Sequence, residues 1–517
     1  MRRRGTVTRS LREAVPWAGA AALVALALFV WTAAPTITWR NDGADGAELA
    51  TAVDVLGIPH PPGYPTYVIV GKLFSLLVPI GDTAHRLALF SAVCGAATVG
   101  LSVMIAGTIL TRRGPYSGPV LLTSGLALTV SPLLWSQSTI AEVYAPASTV
   151  LSACLLLIVI RCVDGTGSRW LLPVTGFLLG IGTGFHLTVL FLGVAAGPTL
   201  VMAGVRIREL VVGAGAIAMG MSVFLIIPLL AAREPPIAWG APADLSGFLW
   251  TVTGAPYRDL LFAVPFGELP ARAAGLAGLL TREIGAVGWL LVVWGGWRAW
   301  LLSPRWLIVL LGGLAGLGLL YTLGYNSRDF VVYMIPVVVV ASIFLAIGAD
   351  WGMEVLRSSA AGPLGSNLAL AGMFTMVPVL TFGLNFQELD LTQDREAATY
   401  SLDAITIASD QNAIVIADTD EEVFALWYQR YVGEPDGRPF IIARVLLQYD
   451  WYRGQVRDRL TWAVPAEPTN YESTIERIIG MASERPIFMT TDRAGAGLGF
   501  TLEPAGPLFR VFPARNQ

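Results

Sequence analysis

WRNDGADGAELATAVDVLGIPHPPGYPTY, Trp39 to Tyr67, is the stretch on which the reading of the chain turns. It follows the first long apolar run, where that run would leave a membrane. It carries Asp42, Asp45, Glu48 and Asp54 ahead of an unusual His60-Pro61-Pro62-Gly63-Tyr64-Pro65 turn. Carboxylates placed against a bilayer are costly unless they are paired or used, so such a cluster is a candidate site by default. A solvated acidic loop is the bland alternative, and charge alone favours it; the proline-rich end argues the other way.

The 517 residues are 54% hydrophobic and 14% charged, with a mean hydropathy of +0.62. That is too apolar for a soluble multidomain enzyme and reads as a polytopic α-helical membrane protein. A net charge of -3 offers no basic stripe to neutralise phosphates, which excludes a nucleic-acid partner. Cys94, Cys154 and Cys162 all lie in or at the ends of apolar runs, so neither a disulfide framework nor a cysteine zinc site is on offer. No Walker loop, dinucleotide fingerprint or HExxH is present.

The run from about 17 to 34 is long enough to span and reads as an uncleaved first crossing with its arginines inside. The segment 64–80 holds Lys72 near its middle and is bounded by prolines, so it reads as an interfacial or re-entrant helix. Crossings are then expected at 86–110, 119–135, 143–162, 170–186, 187–205, 210–231, 282–300, 305–323, 329–349 and 367–386, about eleven in all. Arg112, Arg113, Arg161, Arg169, Arg206, Arg208, Arg298, Arg305 and Arg357 fall at the inner turns, in accord with the positive-inside rule. Residues 1–386 form the membrane domain, with a first outer loop at 36–85 and a long one at 232–281. Residues 387–517 return to a soluble composition, with strand-like AIVIAD, FIIAR, IFMT and LFRVF among helical periodicities. They are expected to form an extracytoplasmic α/β domain.

This parity gathers Asp45, Glu48, His60, Tyr64, Arg86, Glu142, Tyr144, His186 and Arg258 on the outer face. A transfer onto a hydroxyl needs a carboxylate to take its proton and a cation or donor cluster to hold a departing phosphate. Both kinds of residue are present on that side. Each also has a structural reading. Asp45 could cap the helix starting near Ala47, and Glu48, one turn on, could serve as its partner. His60 could mark a proline-stiffened turn, Glu142 could sit at a helix start for the dipole, and His186 could be a hydrogen-bonded core residue. Arg86, at the outer start of an inward helix, suits a phosphate or lipid headgroup.

DGAELATAVDVLGIPHPPGYPTY, RLALFSAVCGA, WSQSTIAEVYA, GIGTGFHLT, IAWGAPADLSGFLW, the NSRDFVVYMIP run and DWYRGQV resemble the bacterial family catalogued as domain of unknown function 2723. That family is similar to the transmembrane protein 260 type of protein O-mannosyltransferase, within the GT-C superfamily of membrane glycosyltransferases. Its acidic motif commonly runs Asp-Ser-Gly-Glu; Asp45-Gly46-Ala47-Glu48 keeps both acids and changes the residues between. The resemblance implies a GT-C-like fold and a polyprenyl-phosphate-linked sugar, mannose in the family's name, as donor. Asp45 would be the base, while His60, Arg86 and Arg258 would face the leaving lipid phosphate. It further implies a protein or glycan acceptor, no catalytic metal or other cofactor, and a place in the cytoplasmic membrane with the C-terminal domain outside. A lipid or solute transporter, expected to show paired broken helices and mid-membrane charges, is the main rival. A non-catalytic envelope scaffold is the second.

Overall fold

A computed structural model describes residues 2–110, 118–164, 170–359, 362–409, 413–433, 439–460, 471–480, 485–492 and 500–513. Arg112, Arg113 and Arg169, placed above at inner turns, lie outside the described residues. Among the described residues, eight helices are long and apolar enough to cross a bilayer: Leu11–Trp31, Thr83–Leu110, Tyr144–Val163, Ile207–Ala231, Leu269–Leu302, Arg305–Gly324, Phe330–Ser358 and Gly362–Leu389. Their backbone groups bond within each segment, the only arrangement besides a closed barrel that hydrocarbon tolerates. Length and hydropathy therefore carry eight crossings against the eleven expected. The other three fall on the shorter helices Gly118–Thr129, Leu171–Gly182 and Leu187–Met202.

Two sequence expectations need correction. The expected crossing at 119–135 is two helices, Gly118–Thr129 and Pro132–Gln137. Pro132 has no N–H with which to continue the first helix, so it starts the second. The long outer loop is shorter than 232–281, because the next helix already begins at Leu269. That helix kinks at Gly285, whose φ of 67° suits a residue without Cβ. Glu283, beside the kink, is buried and accepts hydrogen bonds from Ser131 Oγ and from Leu133 N at 3.1 Å. It thereby satisfies orphan donors at the start of Pro132–Gln137.

Pro65–Leu77 has 13 residues, about 20 Å of helix, too short for a crossing and consistent with the interfacial reading. Leu73, Leu76 and Leu77 are exposed on it, while Lys72 turns back to Asp54, Nζ to Oδ1 3.3 Å. Tight contacts fix the bundle elsewhere. A Cβ at Gly176 or Gly180 would strike the backbone of Ile207–Met221, and one at Gly295 that of Phe330–Ser358, so small residues let these helices touch.

Toward the C-terminus lies a five-stranded sheet of β1 (Ile414–Ala417), β2 (Phe440–Ala443), β3 (Ile487–Met489), β4 (Phe500–Ala505) and β5 (Leu508–Pro513). The strand order is β2-β1-β3-β5-β4, with β1, β2 and β3 parallel and the β4–β5 hairpin antiparallel. Strand β1, paired on both edges, is buried throughout, which is why it reads as an unbroken apolar run. Strand β4 was not expected; its alternating exposed residues dilute the hydrophobic signal. The helix Asp420–Tyr431 starts on a capping box between Thr419 and Glu422 and packs against the helix Ala44–Val55. Trp39 Nε1 donates to Glu421 O at 3.1 Å, and Gln455 Nε2 donates to Ala238 O at 2.8 Å. These bonds tie the sheet-bearing part to the loop after the first helix and to the loop that carries Ala238.

Candidate active site

The Asp45–Gly46–Ala47–Glu48 run forms the first turns of the helix Ala44–Val55. Asp45 and Glu48, three residues apart, share one face. Gly46 is where this helix meets the segment before Tyr144–Asp164: a Cβ there would lie 2.8 Å from Ala141 O. A Ser at that place, as in the related pattern, would hold the two farther apart. The close approach brings Glu142 toward the acids.

Glu48 is fully buried, and its Oε2 takes two bonds from His60, from Nδ1 at 2.5 Å and from the backbone N at 3.2 Å. The other ring nitrogen, Nε2, lies 3.1 Å from Tyr64 Oη and 3.7 Å from Asp45 Oδ2. The turn between these residues contains a cis Pro61–Pro62 bond, Gly63 at φ 85° and Tyr64 at φ 40°. A bulky residue in the left-handed region is held there only by its surroundings. Asp45 keeps 39% of its side chain accessible and is the open member of the trio.

Although part of its side chain stays accessible, the protein packed around Asp45, more than any neighbouring charge, pushes it up to about 7; His60 opposes this, while Glu48, Asp329 and Asp420 add to it. For His60 burial acts downward, but the carboxylates of Asp45 and Glu48 outweigh it and raise the imidazole to about 10. His60 is thus a cation at neutral pH, set between two acids. Burial also raises Glu142, with Asp45 contributing, and lowers His186 to about 3. Two histidines on one face therefore carry different charges.

Aromatic rings wall the cluster. Tyr64 stacks on His186 at 6.2 Å between centroids, and Tyr144 lies 5.2 Å from His186. Trp239 and Tyr257 stand edge-on to His60 at 6.2 and 6.3 Å. Tyr144 Oη donates to Asp329 Oδ2 at 3.2 Å, and Tyr333 closes against both Tyr144 and His186. The fold thus brings together Asp45, Glu48, His60, Tyr64, Glu142, Tyr144 and His186.

It does not bring in the two arginines. Arg258 is exposed, and its Nη2 bonds Thr253 Oγ1. The guanidinium of Arg86 has no hydrogen-bond or ion-pair partner among the described residues, and its Nε is buried. Asp329, Tyr333, Tyr257, Trp239 and Asp420 were not among the residues picked from sequence. Asp329 and Tyr333 lie within the NSRDFVVYMIP run, so a signal was present; nothing local marks Asp420. Among the described residues, no group of three or more His, Cys, Asp and Glu is arranged to hold a metal ion.

Residues 45–208 match the family model described as Protein O-mannosyl-transferase TMEM260 N-terminal domain. The mouse protein O-mannosyl-transferase TMEM260 is 29% identical over 157 residues, covering 30% of this chain and 22% of the mouse protein. The protein of that name from Dictyostelium discoideum is 28% identical over 118 residues, covering 22% of this chain and 14% of its own. The chain thus matches less than a quarter of these relatives' length. Among solved structures, ArnT from Cupriavidus metallidurans bound to undecaprenyl phosphate aligns over 96% of this chain and 97% of its own, with a TM-score of 0.58 at 14% identity. The archaeal oligosaccharyltransferase AglB from Archaeoglobus fulgidus, in complex with an inhibitory peptide and a dolichol-phosphate, aligns with a TM-score of 0.52 at 11% identity. It does so over 96% of this chain and 74% of its own. At these identities the likeness is one of fold: this chain shares the architecture of ArnT and AglB along nearly its whole length.

Proposed function

We propose that this protein is an inverting membrane glycosyltransferase that moves a sugar, mannose by analogy with its named relatives, from a polyprenyl-phosphate carrier to an acceptor hydroxyl. The observation that carries this reading is the Asp45–His60–Glu48 trio, open at Asp45 and walled by aromatic rings, in a fold shared with a protein crystallised with undecaprenyl phosphate. Asp45, raised to about 7, takes the acceptor hydroxyl proton near neutral pH. The acceptor oxygen forms its bond to the anomeric carbon as the bond from that carbon to the phosphate oxygen breaks, and the carrier leaves with the electron pair. Glu48 fixes the imidazolium of His60 beside the base, where its charge favours the developing phosphate anion. Arg86 and Arg258, which the fold does not bring to the trio, have no part in this step. Tyr64, Tyr144 and His186 contribute wall and hydrogen-bonding groups for the sugar. The first loop and the C-terminal domain lie on the outer side of the cytoplasmic membrane in this reading.

Replacing Asp45 by Asn and measuring transfer from a radiolabelled polyprenyl-phosphate sugar tests it. Loss of transfer by about a hundredfold or more, with donor binding kept, is the expected result. Transfer at the wild-type rate removes Asp45 as base.

A further inference from the structure

Arg272, in the first turn of the helix Leu269–Leu302, reaches the last turn of another crossing, Arg305–Gly324. Its Nε and Nη2 donate to Thr322 O at 3.3 and 3.0 Å, and Nη2 donates to Tyr325 O as well. The guanidinium lies over the Phe330 ring, 3.7 Å from its centre. Thr322 O needs such a donor. In a continued helix Asn326 N would take that carbonyl, but Asn326 N donates to Leu260 O at 2.9 Å instead. A basic side chain is a usual way to satisfy the carbonyls this leaves.

The fork does more than close a helix. Tyr325 and Phe330 are the two ends of a four-residue connection, and Arg272 holds one by its carbonyl and the other by its ring. Asp329 is the last residue inside that connection, and its Oδ2 accepts from Tyr144 Oη at 3.2 Å. Arg328 turns away to Glu421 Oε1 at 2.7 Å, so Asp329 has no ion pair among the described residues. Phe330 also opens the 3-10 turn that sets Tyr333 against Tyr144 and His186. Asp45 is faced by Glu48, His60 and Tyr64 from its own loop, and by Glu142, Tyr257, Asp420 and Asp329 from four other segments. Of these, Asp329 is the one whose backbone Arg272 fixes.

We propose that Arg272 is a positioning residue for the transfer: by holding Tyr325 and Phe330 it keeps the Asp329 carboxylate on Tyr144 and within electrostatic reach of Asp45. The inference rests on the glycosyltransferase reading. Its sign is checkable. Asp329 is among the charges that raise Asp45, so letting Asp329 swing out lowers Asp45 and moves the acid limb of the transfer profile below about 7. Loss of the Arg272 cation acting directly would do the opposite, because removing positive charge raises a carboxyl group. Placement and charge therefore shift the limb in opposite directions.

The test measures transfer from a radiolabelled polyprenyl-phosphate sugar across pH, with the full chain in nanodiscs. Asp329→Asn is the reference and should lower the acid limb by about half a pH unit to one unit, the effect of one carboxylate in partly aqueous surroundings. Arg272→Ala should move it the same way and leave the basic limb near 10, since Asp45, Glu48 and Glu142 are the acids that raise His60. Arg272→Lys keeps the cation and loses the planar fork and its stacking, so it should also lower the limb, and it serves if the alanine variant does not fold. Combined with Asp329→Asn, either Arg272 substitution should add no further shift, because no charge is left to place. An acid limb that stays put or moves toward alkali in the Arg272 variants overturns the inference, as does full additivity with Asp329→Asn. Transfer at the wild-type rate in Asp45→Asn sinks the catalytic reading itself. A limb that vanishes with Asp45→Asn but ignores Arg272 sinks this inference alone.

Discussion

At the scale of single residues, the proposed transfer rests on two groups whose protonation is shifted in the same direction. Asp45 is raised from 3.8 to about 7 and His60 from 6.5 to about 10. As base, Asp45 must be ionised; as a cation, His60 must be protonated. Transfer should therefore rise as pH climbs through about 7 and fall as it passes about 10, a bell whose limbs are properties of the coupled pair. The sign for stability is different. Both folded values lie above the unfolded ones, so each group's contribution is complete below its unfolded value and fades as pH rises through the folded one. The unfolding temperature should decline from mildly acid to alkaline pH across the range where activity first increases. A transfer profile flat between pH 6 and 8 would show that Asp45 does not titrate as the working base. The residue scale is also where sequence reading misjudged a neighbour. Tyr257 faces His60 while Arg258, adjacent in a 3-10 turn, points outward. Successive residues of such a turn diverge by about a third of a revolution, and composition cannot say which one faces inward.

Among elements, the acidic helix, the short helix Pro65–Leu77 and the His-Pro-Pro-Gly-Tyr-Pro turn were legible because each is local: periodicity, helix length and proline are all readable over a dozen residues. The break at Ser131–Pro132 was missed because the apolar run continues through it. What no local pattern reveals is the contact at Gly46. In an exposed helix, Gly to Ala gains about 1 kcal/mol from propensity. Here the new Cβ would lie 2.8 Å from a backbone carbonyl that cannot rotate away. Overpacking of this kind costs about 1–3 kcal/mol and forces backbone shifts. Gly46→Ala should therefore destabilise the protein and, by moving the segment that carries Glu142 away from the acids, lower transfer. Thermal unfolding and initial rates on the same preparation check both. A more stable, fully active variant would mean that the two elements are not held together in this way.

On the scale of the whole molecule, the site is assembled from parts far apart in sequence: the first loop, the 138–143 segment, the GIGTGFHLT turn, the long loop, Asp329 and Asp420. The apolar runs announced a membrane protein and the change of composition a separate C-terminal part, yet not that this part reaches the acids, because only packing joins residues some 375 positions apart. Asp420 is the instance with a measurable consequence. It stands in the first turn of the helix seated on Ala44–Val55, and its charge is among those that raise Asp45. Asp420→Asn removes a negative charge without changing side-chain size, so Asp45 should ionise more readily and the acid limb of the transfer profile should move below about 7. The basic limb should move the same way, since Asp420 and His60 interact through opposite charges and the imidazolium loses some of its support. A domain that merely caps the bundle would leave both limbs in place when Asp420 is neutralised. A shift of both toward acid, with the peak rate little changed, would instead make the C-terminal domain part of the electrostatics of the reaction.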